Sequence, residues 1–185
     1  AIRENHDDLD RLLATEHAAP EQDKAKSGTF SSLNVFIGNS DKKIASQQAV
    51  VDQELALARL GERRGQSDGA KKMYLKLIEQ HPDHPVAYHR LGVIYAKENN
   101  FDEANQYLEQ AVRMDAPSLE ILNDLGYCYY LQSRFEDAEK VLLVAQQQKP
   151  NHEKTCNNLG LVLGGQGRFA EAFESFSRVN SEAES

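Results

Sequence analysis

The feature that most constrains this chain is a dipeptide recurring at a fixed interval. Leu-Gly occurs at Leu91-Gly92, Leu125-Gly126 and Leu159-Gly160, a spacing of 34 residues each time. Other positions keep the same register. Tyr95 and Tyr129 fall three residues after their glycines, and Leu163 takes that place in the last copy. Ala104, Ala138 and Ala172 follow twelve residues after each glycine, with Phe101, Phe135 and Phe169 three before them and Leu108, Leu142 and Phe176 four after. A fixed period of this length indicates a stack of small supersecondary units rather than one globular core.

Within each period the apolar residues recur at helical spacing. In 119–152, Leu122, Leu125 and Tyr129 lie on one stripe, and Ala138, Val141, Leu142 and Ala145 on another, with Ser133-Arg134-Phe135 as the turn between two helices. Gly126 and Ala138 are small so that the two axes can approach, and a bulky residue at either would force them apart. Pro150 cannot continue a helix interior and marks the boundary to the next unit. One unit cannot bury both stripes alone, whereas stacking copies buries a continuous core.

The pattern Tyr88-x2-Leu91-Gly92-x2-Tyr95 followed by Ala104-x3-Leu108, and Leu122-x2-Leu125-Gly126-x2-Tyr129 followed by Ala138-x3-Leu142 and Pro150, resembles the tetratricopeptide-repeat (TPR) family over about three quarters of the chain. One period upstream, Leu57, Ala58, Gly65, Ala70, Tyr74 and Pro82 occupy matching places, but Glu54 stands where the motif opens on a large residue, so this copy is degenerate. The resemblance implies an all-α helix-turn-helix solenoid, a right-handed superhelix of about four repeats. These are 51–84, 85–118, 119–152 and 153–185, preceded by an extension over 1–50.

That extension lacks the signature. Residues 3–17 suit a short helix with Leu9, Leu12 and Leu13 on one side, and 18–30 read as a polar linker. Ser32–Gly38 forms an apolar cluster expected to cover the open edge of the first repeat or to be disordered; the sharper alternative has it occupy the groove. At the other end, no helix follows the last repeat to cover Phe173 and Phe176, which points to truncation or to self-association through that end. The chain opens at Ala1 rather than Met, as expected of a processed protein or a fragment. No targeting signal is readable, so the compartment, cytoplasmic or periplasmic, is not assigned.

Composition narrows the partners. There are 29 acidic against 21 basic side chains and a net charge of −8, which argues against nucleic acid as a partner, since phosphate binding needs a concentrated basic surface. No stretch approaches the roughly 18 apolar residues of a membrane span. Cys128 and Cys156 read as buried free thiols rather than a disulfide framework. No P-loop, GxGxxG or HExxH is present, and Gly164-Gly165-Gln166-Gly167 reads as a turn between helices and not as a phosphate loop. His81, His84 and His89 cluster without a completing ligand set, so no metal and no cofactor is expected. The chain is read as having no catalytic residues.

In TPR arrays the first helix of each repeat lines the concave face. By matching positions the resemblance implies a partner-binding set of His89, Arg90, Lys97, Asn123, Asp124, Tyr127, Tyr130, Lys154, Asn157, Asn158 and Leu161. Val93, Leu131 and Gly164 stand on the same helices, as do Arg59, Glu62 and Arg63 in the degenerate copy. The amides of Asn123, Asn157 and Asn158 suit the backbone of an extended peptide, and Tyr127 and Tyr130 suit aromatic anchoring. A TPR subclass grips the C-terminal carboxylates of chaperones. At its clamp positions this chain carries His89, Val93, Asp124, Lys154 and Asn158, of which only Lys154 agrees, and Asp124 would repel a carboxylate. The expected function is therefore a scaffold binding a partner protein's peptide or helix. The alternatives are the recognition part of a larger glycosyltransferase-like enzyme, or a component of bacterial secretion or pilus assembly.

Overall fold

The computed structural model describes Leu13, residues 33–114 and residues 118–180, with the backbone alone for 33–47 and for Asn180. Among these residues the chain is all-helical. We number the helices α1 (Leu33–Arg63), α2 (Ser67–Gln80), α3 (Pro85–Lys97), α4 (Phe101–Met114), α5 (Leu119–Leu131), α6 (Phe135–Gln148), α7 (Glu153–Gly165) and α8 (Phe169–Asn180). Helices α3/α4, α5/α6 and α7/α8 are antiparallel pairs that coincide with the repeats read from the sequence. The predicted helix over 3–17, other than Leu13, and the linker over 18–30 lie outside the described residues.

The turn inside each pair has a common cause. Gly65, Asn99, Ser133 and Gly167 stand 34 residues apart, and all have positive φ, at 74°, 59°, 59° and 78°. Each ends a first helix in the same way. In α5 the Ser133 amide donates to the Tyr130 carbonyl at 2.9 Å and the Arg134 amide to the Tyr129 carbonyl at 3.0 Å. That pair of bonds is the Schellman arrangement, which satisfies the last carbonyls of a helix and reverses the chain in three residues. Gly167 adopts the left-handed conformation at no steric cost. The glycine-rich run before α8 thus closes α7 with Gly164 and Gly165 and turns the chain at Gln166 and Gly167.

Small residues set the distance between the two helices of a pair. A Cβ on Gly92 would lie 2.5 Å from Leu108 Cγ, one on Gly126 would lie 2.6 Å from Leu142 Cγ, and one on Gly160 would lie 2.4 Å from the Phe176 ring. The residue four places after each repeat alanine therefore sits against the bare backbone of the first helix. This is the close approach expected at Gly126.

The helices from Asp83 onward form one compact unit, with Leu13 belonging to it. Its core is a contiguous cluster from α4 to α7, including Leu108, Leu122, Leu125, Tyr129, Leu142 and Val162. Leu13 and Val93 are among the partly buried residues packed against it. Both thiols are buried and neither forms a disulfide. Burial pushes the Cys128 thiol up to about 11, so it stays protonated and inert. At the far end the apolar surface expected on α8 is present. Phe176 is exposed beyond its contact with Gly160, and Phe169 and Phe173 are 73% and 72% exposed.

Helices α1 and α2 form the other unit. Val51, Leu55 and Ala58 of α1 and Ala70, Tyr74 and Leu77 of α2 are buried. Glu54, the residue that makes this copy degenerate, accepts an ion pair from Lys76 at 3.1 Å, so a charge contact replaces apolar packing there. Leu57 aligns with the buried leucines of the later repeats but is exposed. One expectation needs correction. Residues 33–38 are not a separate apolar cluster but the first turns of α1, a single helix of 31 residues. No proline interrupts 33–63, and Lys42, Lys43, Ala45, Gln47 and Gln48 are good helix formers.

Candidate functional site

The first helices of the later repeats form a layer of their own, because α5 touches both α3 and α7 directly. Residues at equal register on these helices therefore lie side by side. One row holds Val93, Tyr127 and Leu161, spaced by 34 residues. Val93 is partly exposed, Tyr127 is 41% exposed and Leu161 is 38% exposed. Leu131, one turn along from Tyr127, is 42% exposed. Tyr130 stacks on Tyr127 with ring centroids 5.9 Å apart. Arg90 and Asn157 are partly exposed, and Lys97 and Lys154 are exposed. Together these side chains make an apolar stripe with a polar and basic margin.

The sequence reading placed three more residues on this surface, and the structure turns them inward. Neighbouring residues on a helix point about 100° apart, so a shift of one position separates groove from interior. Asn123 is fully buried. Its amide donates to the Leu119 carbonyl at 2.7 Å and to Thr155 Oγ1 at 2.9 Å. Asn158 is buried too, and its amide donates to Asn123 O at 3.2 Å and Asn123 Oδ1 at 3.3 Å. His89 is 4% exposed. The amides of Asn123 and Asn158 are thus committed to joining adjacent repeats and are not offered to a peptide backbone. A buried amide keeps its bonds because losing one leaves the other partner unsatisfied.

His89, Asp124 and Lys154, one from each of three successive repeats, are linked in a chain. His89 Nε2 lies 2.7 Å from Asp124 Oδ2, and Lys154 Nζ lies 2.5 Å from Asp124 Oδ1. Burial works to raise the Asp124 carboxyl, but the hydrogen bonds from His89 and Lys154 outweigh it and hold the group below its ordinary value. Lys154, the one residue that matched the carboxylate clamp, has its ammonium on an internal carboxylate. The geometry and the sequence therefore agree against that clamp.

Ligating atoms of His89, Glu120 and Asp124 lie within 4.8 Å of one another. The set fits a metal poorly. Both Asp124 oxygens and the facing His89 nitrogen already have partners, and the Lys154 ammonium supplies the positive charge a cation would bring. Sequence spacing did not reveal the convergence of His89 with Asp124, because they lie 35 residues apart. The register of the repeat was the available signal.

Arg59 and Arg63 are exposed on α1, and Glu62 accepts from the Tyr74 hydroxyl at 3.5 Å within the first pair. No helix among the described residues is long and apolar enough to cross a membrane.

Comparison with known proteins places these features in context. Family models described as tetratricopeptide repeat match residues 51–94, 89–153 and 154–178. No curated protein matches the sequence. Among solved structures, the chain is similar to PilF of Pseudomonas aeruginosa, with a TM-score of 0.68 and 28% identity over 72% of this chain and 61% of that one. It is also similar to MamA AMB-1, with a TM-score of 0.62 and 22% identity over 72% and 73% of the two chains. A further MamA structure gives a TM-score of 0.66 at 19% identity over 78% and 79%. The chain therefore spans less than two thirds of the PilF chain it matches, and the MamA likeness speaks to fold alone.

Proposed function

Because the chain belongs to the tetratricopeptide-repeat family, a family of protein-interaction scaffolds, we propose that it takes a segment of a partner protein on the face formed by α3, α5 and α7. The observation that carries this reading is the row Val93, Tyr127 and Leu161. Single exposed apolar residues are ordinary on a protein surface, but a contiguous row of them marks an interaction site. Tyr127 stacked on Tyr130 is partly preorganised, so little side-chain entropy remains to be lost on binding. The occupant is a peptide or helix presenting apolar side chains to the row. Asp124 and Lys154 neutralise one another and contribute shape more than charge.

The test is capture of partners from a lysate of the native source by the wild-type chain and by Tyr127→Ala/Leu161→Ala. Both positions are well exposed, so the variant keeps its helical circular dichroism. A partner retained by wild type and lost from the variant supports the face. Equal capture by both rejects it.

A second reading has a specific observation behind it. It is self-association, through the Phe169 and Phe173 side chains that stand 73% and 72% exposed on α8.

A further inference from the structure

Phe135 and Phe169 open α6 and α8 at the same place in the repeat, but their surroundings differ. The Phe135 ring packs on the bare backbone of Gly165, where an added Cβ would lie 2.5 Å from Phe135 Cε1, so the end of α7 covers it. Phe169 is largely exposed. Four residues further on, the chemistry itself changes. Asn105 and Glu139 share that place, and each holds the turn of the following repeat. Asn105 Nδ2 donates to Gln132 Oε1 at 3.1 Å, and Glu139 accepts from Gln166 Nε2 at 2.9 Å and from Arg168 Nη1 at 2.7 Å. In α8 the same place holds Phe173, also largely exposed. The polar contact that seats one repeat on another is thus replaced by an aromatic ring. The surface that corresponds to the repeat-stacking interface suits an apolar occupant better than another repeat of the same kind.

The order of residues on this face indicates which occupant. Phe169 and Ala170 stand four and three places before Phe173, and Phe176 and Ser177 stand three and four places after it. Offsets of three and four share one helical stripe, and all five side chains are exposed. The stripe carries no charge, and Arg168 and Glu171 bond to each other at 2.7 Å on the far side of the helix. Read from Phe173 in either direction, it offers one phenylalanine and one small residue. A face with that symmetry is self-complementary, as a two-fold interface requires. Antiparallel pairing about Phe173 sets Phe169 of one copy beside Phe176 of the other, and Ala170 beside Ser177.

We infer that this stripe of α8 is a two-fold interface on which a second copy of the chain docks antiparallel. The inference rests on the self-association reading above and adds to it the residues and the direction of pairing. The three rings expose roughly 300–400 Å² per copy, an area typical of transient interfaces rather than permanent ones. The dimer is therefore expected at high micromolar concentration and not in dilute solution.

Sedimentation velocity over a concentration series tests the surface, on wild type and on Phe169→Ser/Phe173→Ser, with circular dichroism verifying the fold. The expected result is a concentration-dependent dimer in wild type and association at least about tenfold weaker in the variant. Disulfide trapping tests the direction and leaves every phenylalanine in place. Ala170→Cys and Ser177→Cys chains are oxidised separately and mixed, with Leu143→Cys as the control. Antiparallel pairing predicts a cross-linked dimer in the mixture of Ala170→Cys with Ser177→Cys, and little from either chain alone or from the control. A wild type that stays monomeric up to millimolar chain overturns both the inference and the self-association reading. A dimer that survives the double serine variant overturns the α8 surface. A dimer lost from that variant, but trapped within single chains and not in the mixture, overturns the antiparallel pairing and leaves self-association standing.

Discussion

Gly92 and Gly164 are the same residue type on equivalent first helices, but their surroundings differ. A Cβ on Gly92 meets Leu108 at 2.5 Å and the Ala104 carbonyl oxygen at 3.1 Å, whereas one on Gly164 meets nothing within 4 Å. Alanine gains helix propensity at both places, but at Gly92 overpacking against a backbone atom and a fully buried side chain outweighs it. Gly92→Ala should lower stability by about 1–2 kcal/mol, and Gly164→Ala should leave it unchanged or raise it by about 0.5 kcal/mol. Urea melts followed by circular dichroism read both. Ser133 presents the reverse case, since its φ of 59° is one that glycine adopts freely. Ser133→Gly should gain about 0.5–1 kcal/mol in the same assay. Asp124 adds a pH term. Its carboxyl titrates lower in the folded chain than its ordinary 3.8, so the unfolded chain binds the proton more readily. The resulting stability is fully present above the ordinary value and is lost as pH falls through the folded one. Asp124→Asn should therefore flatten the acid limb of a stability–pH profile, and an unchanged slope would remove the network from the account.

At the scale of elements, the pairs α3/α4, α5/α6 and α7/α8 share a left-handed turn and a bare glycine, and α5 adds a side-chain cap at its entry. Ser118 caps α5 by accepting from the Ile121 amide at 3.3 Å. Ser118→Ala should cost about 1 kcal/mol, read as a shifted urea midpoint at unchanged slope. The pairs α3/α4, α5/α6 and α7/α8 were legible in the sequence because the glycine, the alanine and the leucine or phenylalanine after it all answer to one contact. Helix α1 was less legible. Gly38 and the polar run over 39–43 part its apolar first turn from the rest, so neither periodicity nor punctuation marks where it starts. Leu57 stands at the place of the motif leucine yet is 49% exposed, which the register alone does not foresee.

For the whole molecule, the same distinction governs the candidate site. Which helices carry it followed from the repeat register, and Tyr127, Tyr130, Leu161, Arg90, Lys97, Lys154 and Asn157 stand at least partly exposed as that register implied. Which way Asn123, Asn158 and His89 point did not follow. Their direction is decided by Thr155, Asn123 and Asp124, each contributed by the next helix of the layer or by its predecessor 32 to 35 residues away. Asn123, Asn158, His89, Asp124 and Lys154 thus join one repeat to the next, while the apolar row beside them stays at least partly exposed. The most direct measurement is hydroxyl-radical footprinting of the chain with and without its captured partner. Leu143 is 42% exposed on the second helix α6 and serves as the internal control. The account predicts that Tyr127, Leu131 and Leu161 lose reactivity on binding while Leu143 does not. Protection of Leu143, or of Phe169 and Phe173, with Tyr127 and Leu161 still fully reactive would contradict it.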